Sequence, residues 1–323
     1  MPTLKVALLT IILATISTFS VIAQERTITL DEDVFLSEAQ IVANDDYLGI
    51  FDYLQRRFLL FDNRTGKFLS EINASDSFPG FNWAPIFPKL LQNEMFFANS
   101  APWGVYISYD NEVTHVAGRK FLATMPFDFI HDSLFVGFYT QPNGEYGLRG
   151  VGRDGEPVLT FDTIELDFPR LADRSLTNNQ MLYHRERIYF IPALTNTMYV
   201  FNLKGELEQT IDVEIDGFVK PRRDLQNSRT FNIRDFEQVA KGRSTGWGLY
   251  ALNKDELLIT GSNPNSGYVV TRVNIEDYTA KSKMVESSAF PKFAWDNKLY
   301  FIDVESEPIV IKERSISEYW NEL

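Results

Sequence analysis

The feature that most constrains the fold is a short phrase that occurs six times along the chain. Each copy is a polar pair followed by an apolar run rich in β-branched and aromatic residues. The runs are Tyr47–Phe51, Met95–Ala98, Leu134–Phe138, Ile188–Ile191, Leu257–Thr260 and Leu299–Ile302. They recur about every 50 residues on average, a period that indicates the blades of a β-propeller when the repeating unit is made of short strands.

Each run belongs to a larger unit with four strand-like segments. One such segment precedes the run, and two follow it with a polar turn between them. In three of the units this turn ends in Gly: Asp62–Gly66, Arg153–Gly155 and Asn202–Gly205. Gly after a polar residue supplies the positive φ that tight hairpins need. Four strands per unit is the make-up of one blade, so we expect an all-β fold, a six-bladed β-propeller over residues 24–323.

The N-terminal end of the chain has one strand-like segment too many, and the C-terminal end has one too few. After Pro308–Lys312 too little sequence is left for a full outer strand, whereas Arg26–Leu30 has a strand pattern but no unit of its own. We therefore expect the N-terminal strand of the mature chain to close the ring beside Ile309–Ile316. A β-helix would have shorter, more uniform rungs, and two sandwich domains would need a linker. A seventh blade in the long interval 188–257 is the remaining alternative.

The first residues have the pattern of a secretory signal. Lys5 is followed by the apolar stretch Val6–Ala23, which ends in small or apolar residues. This pattern predicts a signal peptide over residues 1–23, cleavage before Gln24, and an exported protein, periplasmic or extracellular. The alternative is an uncleaved anchor, for which 18 residues is a marginal length. We expect no membrane span after cleavage.

Composition excludes several kinds of chemistry. The chain has no Cys, so disulfides, thiol catalysis and zinc–thiolate sites are excluded. The formal net charge of −13 argues against nucleic acid as a partner. A chain of this length can do without cross-links because its core is large enough. We expect a monomer.

Several turn and strand phrases resemble those of a known superfamily. The turns FDNRTG, GRDG and NLKG and the strand phrases DNKLYFID and ERIYFIP resemble the six-bladed propellers of the NHL-like and TolB-like superfamily of bacterial envelopes. The resemblance covers Arg26–Ile316. It implies an interaction scaffold or, as in a few members, an enzyme, because the fold alone does not decide the function.

Aromatic residues mark a candidate binding surface on the long loops between units. Binding residues concentrate on long loops that a rigid scaffold holds in place. Phe78, Phe81 and Trp83 belong to one such loop region, and Trp103 is expected near them on the same face. Together they predict a stacking surface for a sugar ring or for a Pro of a partner protein. The alternative is that they fill the gap between the first two blades.

Basic residues mark a second part of the same surface. Arg170 lies in the loop before the fourth unit, and a basic insertion over residues 216–245 carries Arg222, Arg223 and Arg229. Such guanidinium groups bind a carboxylate, phosphate or sulfate through forked hydrogen bonds. The alternatives are that Arg170 pairs with nearby acidic residues and that the insertion is a solvated flap.

Catalytic motifs are scarce. His131 and His184 occupy equivalent turns of neighbouring units, which makes a shared metal conceivable, although a polar turn position also explains them. We expect neither a nucleophile elbow nor a Gly-rich phosphate loop in an all-β fold, because both join a strand to a helix. The first interpretation is therefore a non-catalytic module without a cofactor, whose partner is a protein or a small-molecule or carbohydrate ligand on the long-loop face.

The alternative function is a metal-dependent, lactonase-like hydrolase of the gluconolactonase type. It requires Ca²⁺ or another divalent cation in the central channel, held by oxygen ligands. Location alone nominates Glu71, Asn99, Asp173 and Asp303 as ligands.

Overall fold

The computed structural model describes most of the strands and turns of the chain. The described residues are 25–30, 39–52, 57–72, 82–91, 94–101, 103–109, 112–117, 127–131, 134–140, 146–152, 156–164, 180–192, 195–219, 245–263, 267–303, 306 and 309–323. The predicted signal peptide, residues 1–23, lies outside them.

These residues form six four-stranded antiparallel sheets. Sheet I contains β2 (Ala39–Ala43), β3 (Tyr47–Asp52), β4 (Arg57–Asp62) and β5 (Phe68–Ile72). Sheet II contains β6 (Asn82–Leu91), β7 (Glu94–Ala101), β8 (Trp103–Tyr109) and β9 (Glu112–Ala117). Sheet III contains β10 (Phe127–His131), β11 (Leu134–Thr140), β12 (Tyr146–Gly152) and β13 (Pro157–Thr160).

The remaining sheets follow the same order, with one exception at the chain ends. Sheet IV contains β14 (Gln180–His184), β15 (Arg187–Ile191), β16 (Thr197–Asn202) and β17 (Leu207–Asp212). Sheet V contains β18 (Thr245–Ala251), β19 (Glu256–Asn263), β20 (Gly267–Asn274) and β21 (Ala280–Val285). Sheet VI contains β22 (Phe293–Trp295), β23 (Lys298–Asp303) and β24 (Val310–Ser315), with β1 (Arg26–Thr29) at its outer edge.

The sheets are arranged as a β-propeller, and the expected all-β fold is confirmed. The first strands of the sheets lie side by side at the centre: β22 contacts β2 and β18, β2 contacts β6, and β14 contacts β10 and β18. The six apolar runs of the sequence are second strands. Because neighbouring sheets cover both faces of such a strand, its apolar residues are continuous rather than alternating, as in Ile188–Ile191. The outer strand β17 is largely exposed.

The hydrophobic core lies between adjacent sheets. Between sheets IV and V, Tyr189 and Val200 pack with Leu257 and Val273, and all four are completely buried. A short 3-10 helix (Ser287–Ala289) and the C-terminal helix α1 (Ile316–Glu322) complete the core between sheets V and VI. Among the described residues, no helix has the length and hydrophobicity that crossing a membrane requires.

The N-terminal strand β1 pairs with β24 in antiparallel register, with Arg26 opposite Glu313 and Thr29 opposite Val310. On its other side β1 meets a turn of sheet I. A Cβ added at Gly66, whose φ is +74°, would lie 2.9 Å from the carbonyl oxygen of Thr29. Gly205 of sheet IV meets the carbonyl oxygen of Thr160 on β13 in the same way. Strand β1, the outer strand of sheet VI, therefore contacts the glycine turn of sheet I. Strand β13, the outer strand of sheet III, contacts the glycine turn of sheet IV in the same way.

Two faces of the molecule follow from this topology. The turn face carries the turns from first to second strands and from third to fourth strands. The loop face carries the connections from second to third strands and between sheets. Two turns of the turn face, Arg185–Glu186 and Asp296–Asn297, have positive φ at both residues, the geometry of a type I′ hairpin.

Candidate binding surfaces

The predicted aromatic surface is described only in part. Phe78 and Phe81 lie outside the described residues, whereas Trp83 and Trp103 lie on strands of sheet II. In the register of this sheet, Asn82 is opposite Ala101 and Trp103 is opposite Ser100. The backbones of the two Trp residues therefore lie at the same end of sheet II, on the loop face, with β7 between them. Two strand spacings put them about 10 Å apart.

The predicted basic surface lies almost wholly outside the described residues. This applies to Arg170, Arg222, Arg223 and Arg229. The start of the insertion is described: the backbone N–H of Asp216 donates to Oγ of Ser282 on β21, at 2.8 Å. The insertion therefore begins between sheets IV and V, after the loop-face end of β17.

The turn face is held together by hydrogen bonds between sheets. Nη1 of Arg185 donates to the carbonyl oxygen of Lys254 and to Oδ1 of Asp255, both at 3.1 Å, and so joins sheets IV and V. Nδ2 of Asn253 donates to Oδ1 of Asn297 at 2.9 Å, which joins sheets V and VI. These polar turn residues therefore fix the positions of neighbouring sheets.

A polar cleft lies on the turn face between sheets V and VI. Its volume is about 560 Å³. The lining residues come from three turns and the adjoining strand ends: Asn253, Lys254, Asp255, Glu256, Asn274, Asp296 and Asn297. All of them have charged or carboxamide side chains. The repeated polar pairs predicted the turns but contained no local signal for this cleft.

Asp128 on β10 is a buried carboxylate at the centre of the molecule, and sequence analysis did not single it out. It is 6% exposed. Its Oδ2 accepts hydrogen bonds from Nζ of Lys89 on β6, at 3.3 Å, and from the backbone N–H of Tyr183 on β14, at 2.9 Å. One side chain thus links the first strands of sheets II, III and IV. Its charge is balanced by Lys89.

His184 is directed toward sheet V. Its Nε2 lies 3.3 Å from the carbonyl oxygen of Lys254. Burial lowers the pKa of His184 below its ordinary value, and the hydrogen bond to Lys254 opposes part of this shift. His131 belongs to sheet III, on the other side of sheet IV. The side chain of His184 therefore points away from the sheet that carries His131, contrary to the idea of a shared metal.

Of the residues nominated for a channel cation, the two whose side chains are described, Glu71 and Asp303, form ion pairs in different sheets. Glu71 lies on β5, the outermost strand of sheet I, where it pairs with Arg57 at 2.9 Å. Asp303 lies at the end of β23, 3.9 Å from Nζ of Lys312. Asn99 lies on β7, and Asp173 lies outside the described residues. Within the described part of the chain, no three His, Asp or Glu side chains are placed to share a metal ion.

Comparison with known proteins supports the fold. No family model and no curated protein matches this chain. A member of the DUF4221 family from Bacteroides vulgatus superposes with a TM-score of 0.61 at 11% identity, over 90% of this chain and 95% of that one. A candidate exported protein of Bacteroides fragilis superposes with a TM-score of 0.63 at 10% identity, over 90% of this chain and 95% of that one.

A third similar structure is regucalcin, a calcium-binding protein from Agrobacterium tumefaciens. Its TM-score is 0.51 at 11% identity, over 90% of this chain and 94% of that one. At such identities the similarity supports the β-propeller fold and nothing finer.

Proposed function

We propose that this protein is an exported, non-catalytic binding module whose loop face contacts a protein or carbohydrate ligand. The observation that carries the proposal is the placement of Trp83 and Trp103 at one end of sheet II. Two Trp residues on neighbouring parts of a rigid sheet suit a stacking surface.

The scaffold in this proposal is one ring of six blades closed by β1. The pairing of β1 with β24 supports it, as does the contact of Gly66 with Thr29. A closed ring fixes the loop face without leaving two exposed blade faces at a seam. Phe78 and Phe81 extend the aromatic surface, and the protein acts as a monomer.

The basic insertion supplies the second part of the binding surface. It begins at the loop-face end of sheet IV, where Asp216 contacts Ser282. Arg222, Arg223 and Arg229, together with Arg170, bind acidic groups of the ligand. A basic segment in a protein with a net charge of −13 favours an acidic partner at this place.

Export follows from the N-terminal sequence. Residues 1–23 act as a signal that is removed before Gln24, so the propeller works in the periplasm or outside the cell. The similarity to a candidate exported protein of Bacteroides fragilis agrees with this location.

Capture of a ligand by the mature chain tests the proposal. Immobilised chain is incubated with envelope extract and culture fluid, and bound molecules are identified by mass spectrometry. We expect Trp103→Ala and the double variant Arg222→Ala/Arg223→Ala each to reduce capture of the same ligand about tenfold at an unchanged melting temperature. Arg64→Ala, on the turn face, is the control and retains capture. Equal capture by all variants contradicts the proposal.

The second candidate is the lactonase-like hydrolase with Ca²⁺ or another divalent cation in the channel. The shared fold with regucalcin, a calcium-binding protein, favours it. Against it, Asp128 is the one Asp or Glu in the sequence of the six first strands, and it is already bound by Lys89 and Tyr183. Metal analysis of the purified protein and hydrolysis of gluconolactone with and without a chelator distinguish the two functions.

A further inference from the structure

The cleft between sheets V and VI offers hydrogen-bonding groups that are already held in place. Oδ1 of Asn297 accepts from Nδ2 of Asn253 at 2.9 Å. Oδ1 of Asn274 accepts the backbone N–H of Glu276 at 2.8 Å. In both carboxamides these contacts engage the oxygen, so Nδ2 is the group that can donate to a ligand in the cleft. A ligand that binds there does not have to order these side chains, which favours affinity.

The charges around the cleft balance. Three carboxylates and three cations meet there: Asp255, Glu256 and Asp296, and Lys254, Arg185 and Arg272. Arg272 donates to both carboxylate oxygens of Glu256, at 2.6 and 2.7 Å, and Arg185 donates to Asp255. An ionic ligand of either sign would therefore meet repulsion as well as attraction. A neutral ligand with many hydroxyl groups can use the donors and the acceptors alike.

An exposed aromatic residue lies on the sheet I side of the turn Asp296–Asn297. Trp295 directly precedes the turn Asp296–Asn297 and is 38% exposed. Its Nε1 lies 3.5 Å from Oδ1 of Asp45, at the turn of sheet I. Indole rings present an apolar face with a polar edge, which suits the face of a sugar ring. The turn Asp296–Asn297 thus has carboxamides on one side and an aromatic platform on the other.

We propose that this part of the turn face binds a neutral sugar, with the carboxamides of Asn274 and Asn297 donating to its hydroxyl groups. Trp295 stacks against a second ring of the same glycan. The site lies on the opposite face from the proposed ligand surface around Trp83 and Trp103. A failure of one site to bind its ligand therefore does not contradict the other site.

Isosteric substitutions in the cleft test the site. The probes are the methyl glycosides of glucose, galactose, mannose and N-acetylglucosamine, with the corresponding trisaccharides, titrated into ¹⁵N-labelled protein. Asn274→Asp and Asn297→Asp keep the oxygen that closes each local hydrogen bond but remove the donor. Asn44→Asp is the matched control, because Asn44 caps a turn of the same face, its Oδ1 accepting from the backbone N–H of Tyr47 at 2.8 Å, and receives the same charge.

We expect saturable binding of at least one of these sugars, with shifts in the side-chain amide signals of Asn274 and Asn297. Each cleft variant should weaken that binding about tenfold, and Asn44→Asp should leave it unchanged. Trp295→Ala should weaken the trisaccharide more than the monosaccharide. The proposal is overturned if no sugar of the panel binds, if the cleft variants bind as the wild type does, or if Asn44→Asp weakens binding equally.

Discussion

Single polar side chains in the turns do two things at once, as Asn63 illustrates. It is 2% exposed, and its Nδ2 donates to the carbonyl oxygen of Asn44 at 2.6 Å within sheet I. The same Nδ2 reaches the hydroxyl of Tyr300 on sheet VI, at 3.3 Å. Burial raises the pKa of Tyr300 to about 12, so this hydroxyl stays neutral. Asn63 therefore stabilises its own turn and also joins sheet I to sheet VI.

His184 should make stability depend on pH. Its folded-state pKa is lowered by burial, so the unfolded chain binds the proton more readily. Its contribution is therefore complete above the unfolded pKa, about 6.5, and is lost as the pH falls below that value. Urea unfolding at pH 7.5 and 5.5 should show a smaller decrease in stability for His184→Gln than for the wild type. Equal decreases would show that His184 does not titrate differently on folding.

Gly205 should tolerate no side chain. Its φ is +86°, and a Cβ there would overlap the carbonyl oxygen of Thr160. Gly205→Ala should therefore lower the free energy of unfolding by about 2 kcal/mol or more. Gly147→Ala is the control, since a Cβ at Gly147 meets no atom within 4 Å and should leave stability nearly unchanged. Chemical denaturation of both variants measures the difference, and equal stabilities would contradict the described contact.

At the scale of elements, strand β1 is attached to β24 by an ion pair to a buried carboxylate as well as by its backbone. Glu313 is 8% exposed and accepts from Nη1 of Arg26, at 3.2 Å. Nζ of Lys298 lies 3.3 Å from the other carboxylate oxygen. Ile28 enters the core between sheets I and VI and is 2% exposed. A four-residue strand is thus fixed by pairing, burial and charge together.

Glu313→Gln should loosen this attachment. The substitution removes the buried charge that Arg26 and Lys298 share, and because both cations are partly exposed the loss of stability should be about 1.5 kcal/mol. Glu208→Gln is the control, because its ion pair with Arg187 is more exposed and should contribute about 0.5 kcal/mol. Thermal unfolding compares the two. Similar losses of stability in both variants would show that the ion pairs of Glu313 stabilise the protein no more than an exposed ion pair does.

The sequence predicted the strands better than the sites. The runs Ile188–Ile191 and Leu299–Ile302 match β15 and β23 closely, because a strand covered on both faces needs a continuous apolar run. Asp128 was missed because its partners Lys89 and Tyr183 come from other sheets, and such pairing leaves no local pattern in the sequence. The cleft between sheets V and VI was missed for the same reason.

At the scale of the whole molecule, the two ends of the chain depend on each other. Strand β1 follows the predicted signal directly, yet its partner β24 is the last strand of the chain. We expect contacts between such distant segments to form late in folding, because closing a long loop is entropically costly. That all six sheets form one ring closed by β1 remains a prediction, and the proposed binding surfaces depend on it.

A disulfide between β1 and β24 tests ring closure most directly. Thr27 and Lys312 are opposite each other in the register, and the chain has no other Cys. Opposite residues of antiparallel strands lie within the Cα distances that a disulfide accepts. In the double variant Thr27→Cys/Lys312→Cys, we expect an intramolecular disulfide in the monomer and a gain in stability of up to about 5 kcal/mol. Thiols that stay free in the folded monomer, or that react only between molecules, would contradict a ring closed by the N-terminal strand.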